Sequence, residues 1–446
     1  MVEFDNDFLF GTATASYQVE GAYNEDGRGM SIWDTFCRKN GKVFNGDTGD
    51  VACDHYHRYK DDIALMKKIG IKAYRFSIAW PRIFPEKGKF NQMGLDFYKR
   101  LIDELLINNI IPCATIYHWD LPQWADDLGG WLNRDVVHWY GEYVEKIFKE
   151  LGTYVPMWIT LNEPWCSSIL GYGTGDHAPG HKNFGEALTA AHHLLLSHGN
   201  AVRIFRDFNL KDSKIGITLN LNEVYPETDS LDDKIAASII DGYSNRWFLD
   251  PIFKGSYPDD MVKLFSSIFG SLDFIRNEDF NDISQKVDFL GVNYYTRAIV
   301  RKCVGELFNV KYVDGPNKKT DMGWEISPES LYNLLTRLKN EYTKELPIYI
   351  TENGAALKDI ISDDGHIHDD ERIEYLKLHL NEAYRFIKNG GNLKGYFVWS
   401  LMDNFEWAYG YSKRFGIIYV DYKTQKRILK DSAIWYKDVI ATRRIE

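Results

Sequence analysis

The sequence predicts an α/β chain folded as one (β/α)8 barrel with elaborated loops at the C-terminal face of its strands. Eight short runs rich in β-branched and aromatic residues predict it, each followed by a segment of helical period. Strands alternating with helices imply a parallel sheet, and eight such units close on themselves. No Pro- or Ser-rich linker, repeat or low-complexity tract divides the 446 residues, so 1–446 is read as a single barrel domain. A doubly wound open sheet is the competing arrangement; no GxGxxG opens a helix after the first strand, which counts against it.

The elements follow in order. "LFGTATASYQVEG" (9–21) is the first strand. "AYRFSIAW" (73–80) is the second, and Leu95, Tyr98, Ile102 and Leu105 mark one face of the helix after it. "IPCATIYHW" (111–119) precedes a helix over 134–151, and "MWITLNEP" (157–164) one over 185–205. "KIGITLNLN" (214–222), "VDFLGVNYYT" (287–296) and "LPIYITENG" (346–354) continue the series. Ile373, Leu376, Leu380, Ala383 and Ile387 stripe the next helix. "LKGYFVWSLMDNFEW" (393–407) is the last strand with its loop, and "LKDSAIWYKDVI" (429–440) the final helix. The polar stretch 301–327 is long for a simple connection, which marks a loop with a function.

Composition narrows the class. Hydrophobic residues make up 44% and aromatic ones 15%, including 13 Trp and 28 Tyr. That serves a large core, or equally a cleft of flat rings and phenols suited to sugars. A net charge of −11, with Lys and Arg clustered in nothing larger than pairs, argues against nucleic acid. No run approaches ~18 apolar residues, so no membrane partner is expected. The N-terminus lacks a basic segment followed by an apolar core, and five scattered cysteines look like reduced thiols. A cytoplasmic protein is the expectation.

"YITENGAAL" (349–357) carries the first chemical clue. A core-strand run ends on Glu352, and Asn353-Gly354 reads as a turn. Alone, such a Glu is solvated or caps a helix, because a buried ionised group is costly. "WITLNEPW" (158–165) supplies a partner: Glu163 ends another strand, stopped by Pro164. Barrel chemistry sits at the C-terminal rim, so both carboxylates face one cleft, the minimal machinery for cleaving a glycosidic bond. With 64 acidic residues in the chain, coincidence is the competing reading. The same rim collects Gln18, Arg75, His118, Trp119, Asn162, Asn220, Asn222, Tyr295, Trp399, Glu406 and Trp407. His118 alone reads as a satisfied core histidine; among these neighbours it reads as facing a hydroxyl-rich ligand.

The motifs "FLFGTATASYQVEGA", "YRFSIAWPRIFP", "YHWDLPQW", "TLNEP", "ITENG" and "NFEWAYGYSKRFGIIYVD" closely resemble glycoside hydrolase family 1, the β-glucosidase family. The resemblance runs from about residue 4 to the end, in the family's order. It implies a retaining β-glycosidase that releases terminal non-reducing β-D-glucosyl residues from cello-oligosaccharides and β-glucosides. Galactoside or fucoside side activity and transglycosylation are also implied. By the resemblance Glu163 is the acid/base and Glu352 the nucleophile, with Arg75 and Tyr295 holding the latter. The sugar pocket maps onto Gln18, His118, Trp119, Asn162, Glu406 and Trp407, with Trp399 as platform and Asn220 near the acid/base. Trp324 matches an outer platform for the leaving group, and Phe415 lies near the exocyclic hydroxyl.

The alternatives are a phospho-β-glycosidase and a catalytically inactive sugar-binding relative. Phospho-specific members lack the acidic residue of "FEW", and Glu406 repels a 6-phosphate. Myrosinase-type members have Gln at the acid/base position, and Glu163 stands here. No cofactor or metal is implied: His177, His181 and the pair His192-His193 form no HExxH-like array, and the pair reads as part of a packed helix.

Overall fold

The protein is described by a computed structural model over residues 2–445. Eight parallel strands close into a TIM barrel: β1 (Leu9–Ala13), β2 (Ala73–Ser77), β3 (Ile111–Tyr117), β4 (Met157–Asn162), β5 (Lys214–Asn220), β6 (Phe289–Asn293), β7 (Ile348–Asn353) and β8 (Leu393–Trp399). Each strand pairs with its neighbours in the chain, and β8 pairs back onto β1 through Gly395↔Leu9 to Trp399↔Ala13. Every run read as a barrel strand is one of these eight.

The helix Val136–Leu151 illustrates what holds the outer ring on. Trp139, Tyr140, Tyr143, Val144, Ile147, Phe148 and Leu151 recur at three- and four-residue steps and are all buried against the barrel. Burying an aliphatic or aromatic side chain of this size contributes ~1.5–3 kcal/mol. The phenols are anchored as well. Tyr140 donates to the Thr160 carbonyl of β4 (2.6 Å), and Tyr143 to the Ile116 carbonyl of β3 (2.9 Å). The helix Phe184–Asp207 packs beside it and carries His192 and His193, both buried, as the sequence predicts.

Several boundaries differ from the sequence reading, for local reasons. The first strand stops at Ala13, and Gln18 lies on the short helix Ser16–Val19, whose start is fixed by Ser16 N–H donating to Ser77 Oγ (2.7 Å). The second stops at Ser77 because Trp80–Ile83 turns helical, with Pro81 in its first turn. Tyr295 stands beyond the end of β6. Asn353-Gly354 is no turn: Asn353 is the last residue of β7, and its buried Nδ2 donates to the Tyr294 carbonyl (2.6 Å). Gly354 is required because a Cβ there would collide with the Trp399 carbonyl. The long stretch 301–327 is partly ordered sheet, since Ala298–Lys302 pairs antiparallel with Val310–Tyr312 and parallel with Val224–Pro226.

Two rim loops are locked by buried charge. Lys430 Nζ lies 2.5 Å from Asp359 Oδ2 and 2.7 Å from Asp403 Oδ1, all three side chains without solvent exposure. Asp403 Oδ1 also accepts from Gly416 N–H (3.0 Å), which ties the loop after β8 to the segment carrying Phe415. The five cysteines are unpaired, four of them buried. Among the described residues no helix is long and apolar enough to cross a membrane.

Candidate active site

Glu352, the penultimate residue of β7, points into the mouth of the barrel and is 3% exposed. Arg75 on β2 donates from Nη1 to its Oε1 (2.5 Å), and the Tyr295 hydroxyl donates to its Oε2 (2.6 Å). The guanidinium is fully buried and otherwise satisfied: Nε donates to Thr115 Oγ1 (3.1 Å) and Nη2 to Asn162 Oδ1 (2.6 Å).

Glu163 follows the last residue of β4 and has φ +48°, left-handed backbone that is unusual for a Glu before a proline. Its N–H donates to the Thr218 carbonyl of β5 (2.9 Å), which fixes the residue at the rim. Its Oε1 accepts from Asn293 Nδ2 (2.7 Å) and its Oε2 from the Cys166 thiol (3.3 Å). Trp119 (φ +74°) and Trp407 (φ +49°) are also left-handed. Such non-glycine positions cost about 1–3 kcal/mol each and cluster where function demands a fixed side-chain direction.

The two carboxyl groups have unlike surroundings. Burial, then the charge of Glu352, pushes Glu163 up to about 8. Burial raises Glu352 too, but Arg75 and the Tyr295 hydroxyl favour its anion. Of the two, Glu352 therefore loses its proton first, leaving an anion beside a neutral acid. Glu406 is also pushed up to about 8, by burial and then by Glu352 and Glu163. Burial and Arg75 hold His118 well below its usual value, so its ring is neutral.

These groups surround a cavity of about 620 Å³. Glu163, Glu352, His118, Trp119, Asn162, Asn220, Tyr295, Trp324, Trp399, Glu406, Trp407 and Phe415 all line it. Arg75 and Gln18 do not. Arg75 lies behind Glu352, and Gln18 lies behind Glu406, donating from Nε2 to Asn404 Oδ1 (3.0 Å), the Phe405 carbonyl (2.8 Å) and Glu406 Oε2 (3.4 Å). Gln18 Oε1 and His118 Nδ1 are buried with no partner among the described residues. His118 packs parallel to Trp399 at 6.0 Å and to Trp407 at 6.1 Å. Trp324 lies 5.1 Å from Tyr295 and 6.2 Å from Phe415, building a second aromatic wall from the long loop.

Sequence reasoning missed Asn293, Cys166 and His177. Asn293 had a readable signal: β4, β5, β6 and β7 each end on asparagine, at Asn162, Asn220, Asn293 and Asn353. His177 lines the cavity with its ring 5.2 Å from Trp119, and nothing in its sequence neighbourhood points there.

Comparison with known proteins agrees with this geometry. The model of "Glycosyl hydrolase family 1" matches residues 1–445. Beta-glucosidase A of Acetivibrio thermocellus is 52% identical over 443 residues, 98% of each chain. The 1,4-beta-D-glucan glucohydrolase of Thermotoga neapolitana is 51% identical over 442 residues, 99% of this chain and 98% of that one. The crystal structure of the GH1 beta-glucosidase from Exiguobacterium antarcticum B7 superposes with a TM-score of 0.97 at 53% identity, over 99% of this chain and 98% of that one. A barrel of this topology, a rim that holds paired buried glutamates and whole-length matches of this order leave one assignment: the chain belongs to glycosyl hydrolase family 1.

Proposed function

We propose that the protein is a β-glucosidase working by double displacement, with Glu352 as nucleophile and Glu163 as acid/base, and that the whole chain forms one catalytic domain. The inequality of the two carboxyl groups carries the reading: an arginine and a phenol on Glu352, an amide and a thiol on Glu163. In the first step the Glu352 carboxylate attacks the anomeric carbon, the bond to the leaving oxygen breaks, and Glu163 gives that oxygen its proton. Glycosylation removes the charge of Glu352, so Glu163 becomes more acidic and remains as carboxylate. In the second step Glu163 takes a proton from water as the water attacks the anomeric carbon, and the carbon–Glu352 bond breaks. The sugar leaves with its β configuration, and both residues return to their starting state.

Glu406, aligned by Gln18, is assigned to accept two sugar hydroxyls, with His118, Asn162, Trp119, Trp407 and Asn220 completing the sugar pocket. Trp399 and Phe415 frame the ring, and Trp324 is the platform for the leaving group. The names of the relatives support β-glucosides and 1,4-β-glucans as substrates. A β-fucosidase side activity, a preference for short cello-oligosaccharides and cytoplasmic residence complete the proposal, the last supported by five unpaired cysteines. A panel of nitrophenyl β-glycosides and cello-oligosaccharides tests it. Glucoside and cellobiose turnover is expected; preference for glucoside 6-phosphate, or no turnover of any β-glycoside, contradicts it.

A further inference from the structure

Three residues from successive strands form a hydrogen-bonded chain that ends on Glu163. Thr218 (β5) donates from its hydroxyl to Thr351 Oγ1 (3.2 Å), and Thr351 (β7) donates to Asn293 Oδ1 (2.8 Å). Asn293 (the end of β6) donates from Nδ2 to Glu163 Oε1 (2.7 Å). All are buried, and the space is kept by Gly291, where a Cβ would strike both threonine side chains.

The direction of the Asn293 amide follows from its neighbours. Thr351 Oγ1 already accepts from Thr218, so its own proton goes to Asn293 Oδ1. Asn293 Nδ2 also donates to Asn162 Oδ1 (3.1 Å), which is fixed as an acceptor by Arg75, a group with no accepting capacity. Turning the amide over would set carbonyl oxygen against the oxygens of both Glu163 and Asn162. One N–H of Asn293 is therefore committed to Glu163 Oε1. A proton on Oε1 would leave that oxygen a poorer acceptor for the Asn293 N–H, whereas Oε2 faces the Cys166 sulfur, which accepts as well as donates.

We propose that Asn293, held by Thr351, is a positioning residue for proton transfer, confining the mobile proton of Glu163 to Oε2. The inference rests on the role proposed above for Glu163. Glu163 is faced by Glu352 from β7, Glu406 from the loop after β8, Arg75 from β2, Tyr295 from the loop after β6, and Cys166 from its own loop. Burial, then the charge of Glu352, favours the protonated form; the Asn293 amide, followed by the Cys166 thiol and Arg75, favours the anion and holds the group back from rising further.

The test is kcat/KM against pH for three variants and two substrates. Asn293→Ala should lower cellobiose hydrolysis about 10- to 100-fold, less than the ~10²–10⁴-fold that the positioned acid itself contributes. Dinitrophenyl glucoside, which needs no protonation, should change only a few-fold, and the basic limb should move to higher pH. Thr351→Val, nearly isosteric, should give the same signature in weaker form, and Thr351→Ser should restore the parent profile. Equal losses on both substrates with an unmoved basic limb, or parent behaviour of Thr351→Val, overturn the proposal. Glu163→Ala separates the two levels: a basic limb that survives there sinks the role of Glu163 itself, whereas a limb lost there but unmoved in Asn293→Ala sinks only the role of Asn293.

Discussion

Arg75 and Asn162 are joined by a 2.6 Å hydrogen bond, from Nη2 to Oδ1, that crosses from β2 to the rim end of β4. The same guanidinium holds Glu352, so one buried cation positions the carboxylate of β7 and the residue directly before Glu163. The two glutamates are thus coupled through structure as well as charge, and the predictions separate their roles.

The nucleophile comes first. Glu352→Gln should abolish turnover of every substrate, since no glycosyl-enzyme forms. A fluorosugar inactivator should label Glu352 in the intact enzyme, and peptide mapping that puts the label elsewhere contradicts the assignment.

Acidity should change during the cycle. Activity is expected to fall as pH rises through about 8, because Glu163 then loses the proton it must donate. The acidic limb should report Glu352, which must be ionised to attack. Once Glu352 is trapped as a fluoroglycosyl ester its charge is gone. The pKa of Glu163, followed by ¹³C NMR, should then drop from about 8 toward the ordinary carboxylate range. A pKa unmoved by the trap shows that Glu352's charge is not what raises it.

Glu406 sets substrate charge. Glu406, pushed up to about 8, meets the sugar largely as a neutral carboxyl below that pH, so the loss of two hydrogen bonds of ~0.5–1.5 kcal/mol each in Glu406→Ala should reduce glucoside hydrolysis by roughly 5- to 150-fold. Steady-state kinetics on glucoside and glucoside 6-phosphate check this, the phosphate form remaining the poorer substrate for the parent enzyme.

Lys430 bears on stability. Lys430→Met leaves Asp359 paired with Arg372 alone and Asp403 with Arg414 alone, so the loss of the shared cation should cost about 1–3 kcal/mol. Urea unfolding measures it, and a midpoint equal to the parent's refutes the structural role given to this cluster.

The barrel was legible because its evidence is periodic: β-rich runs such as Ala73–Ser77 and helical stripes such as Leu95, Tyr98 and Ile102 are local signals. The carboxylates were legible because both end such runs. Gln18 was found as a residue but misplaced on a strand, since a four-residue helix has too little sequence to declare itself. Asn353-Gly354 misled because Gly serves two ends, a left-handed turn or a close approach, and only the fold shows the Trp399 carbonyl. The small sheet of Ala298–Lys302 and Val310–Tyr312 was hidden because its partner Val224–Pro226 lies far away in sequence. Asn293 shared the strand-end position of Asn162 and Asn220, a signal the reading passed over, and its role shows only in contacts with Glu163, Asn162 and Thr351 from other strands.

The most direct test of the division of roles is the anomeric configuration of the azide product in two variants. Glu163→Ala should cleave dinitrophenyl glucoside to a glycosyl-enzyme that accumulates as a burst. Added azide, which needs no base, should then attack from the face opposite Glu352 and release β-glucosyl azide. Glu352→Gly should instead let azide displace the leaving group directly and give α-glucosyl azide. Proton NMR distinguishes the two. β-Azide from the first variant and α-azide from the second is the predicted result; the reverse pattern, or no azide effect in either, contradicts the assignment of Glu163 and Glu352.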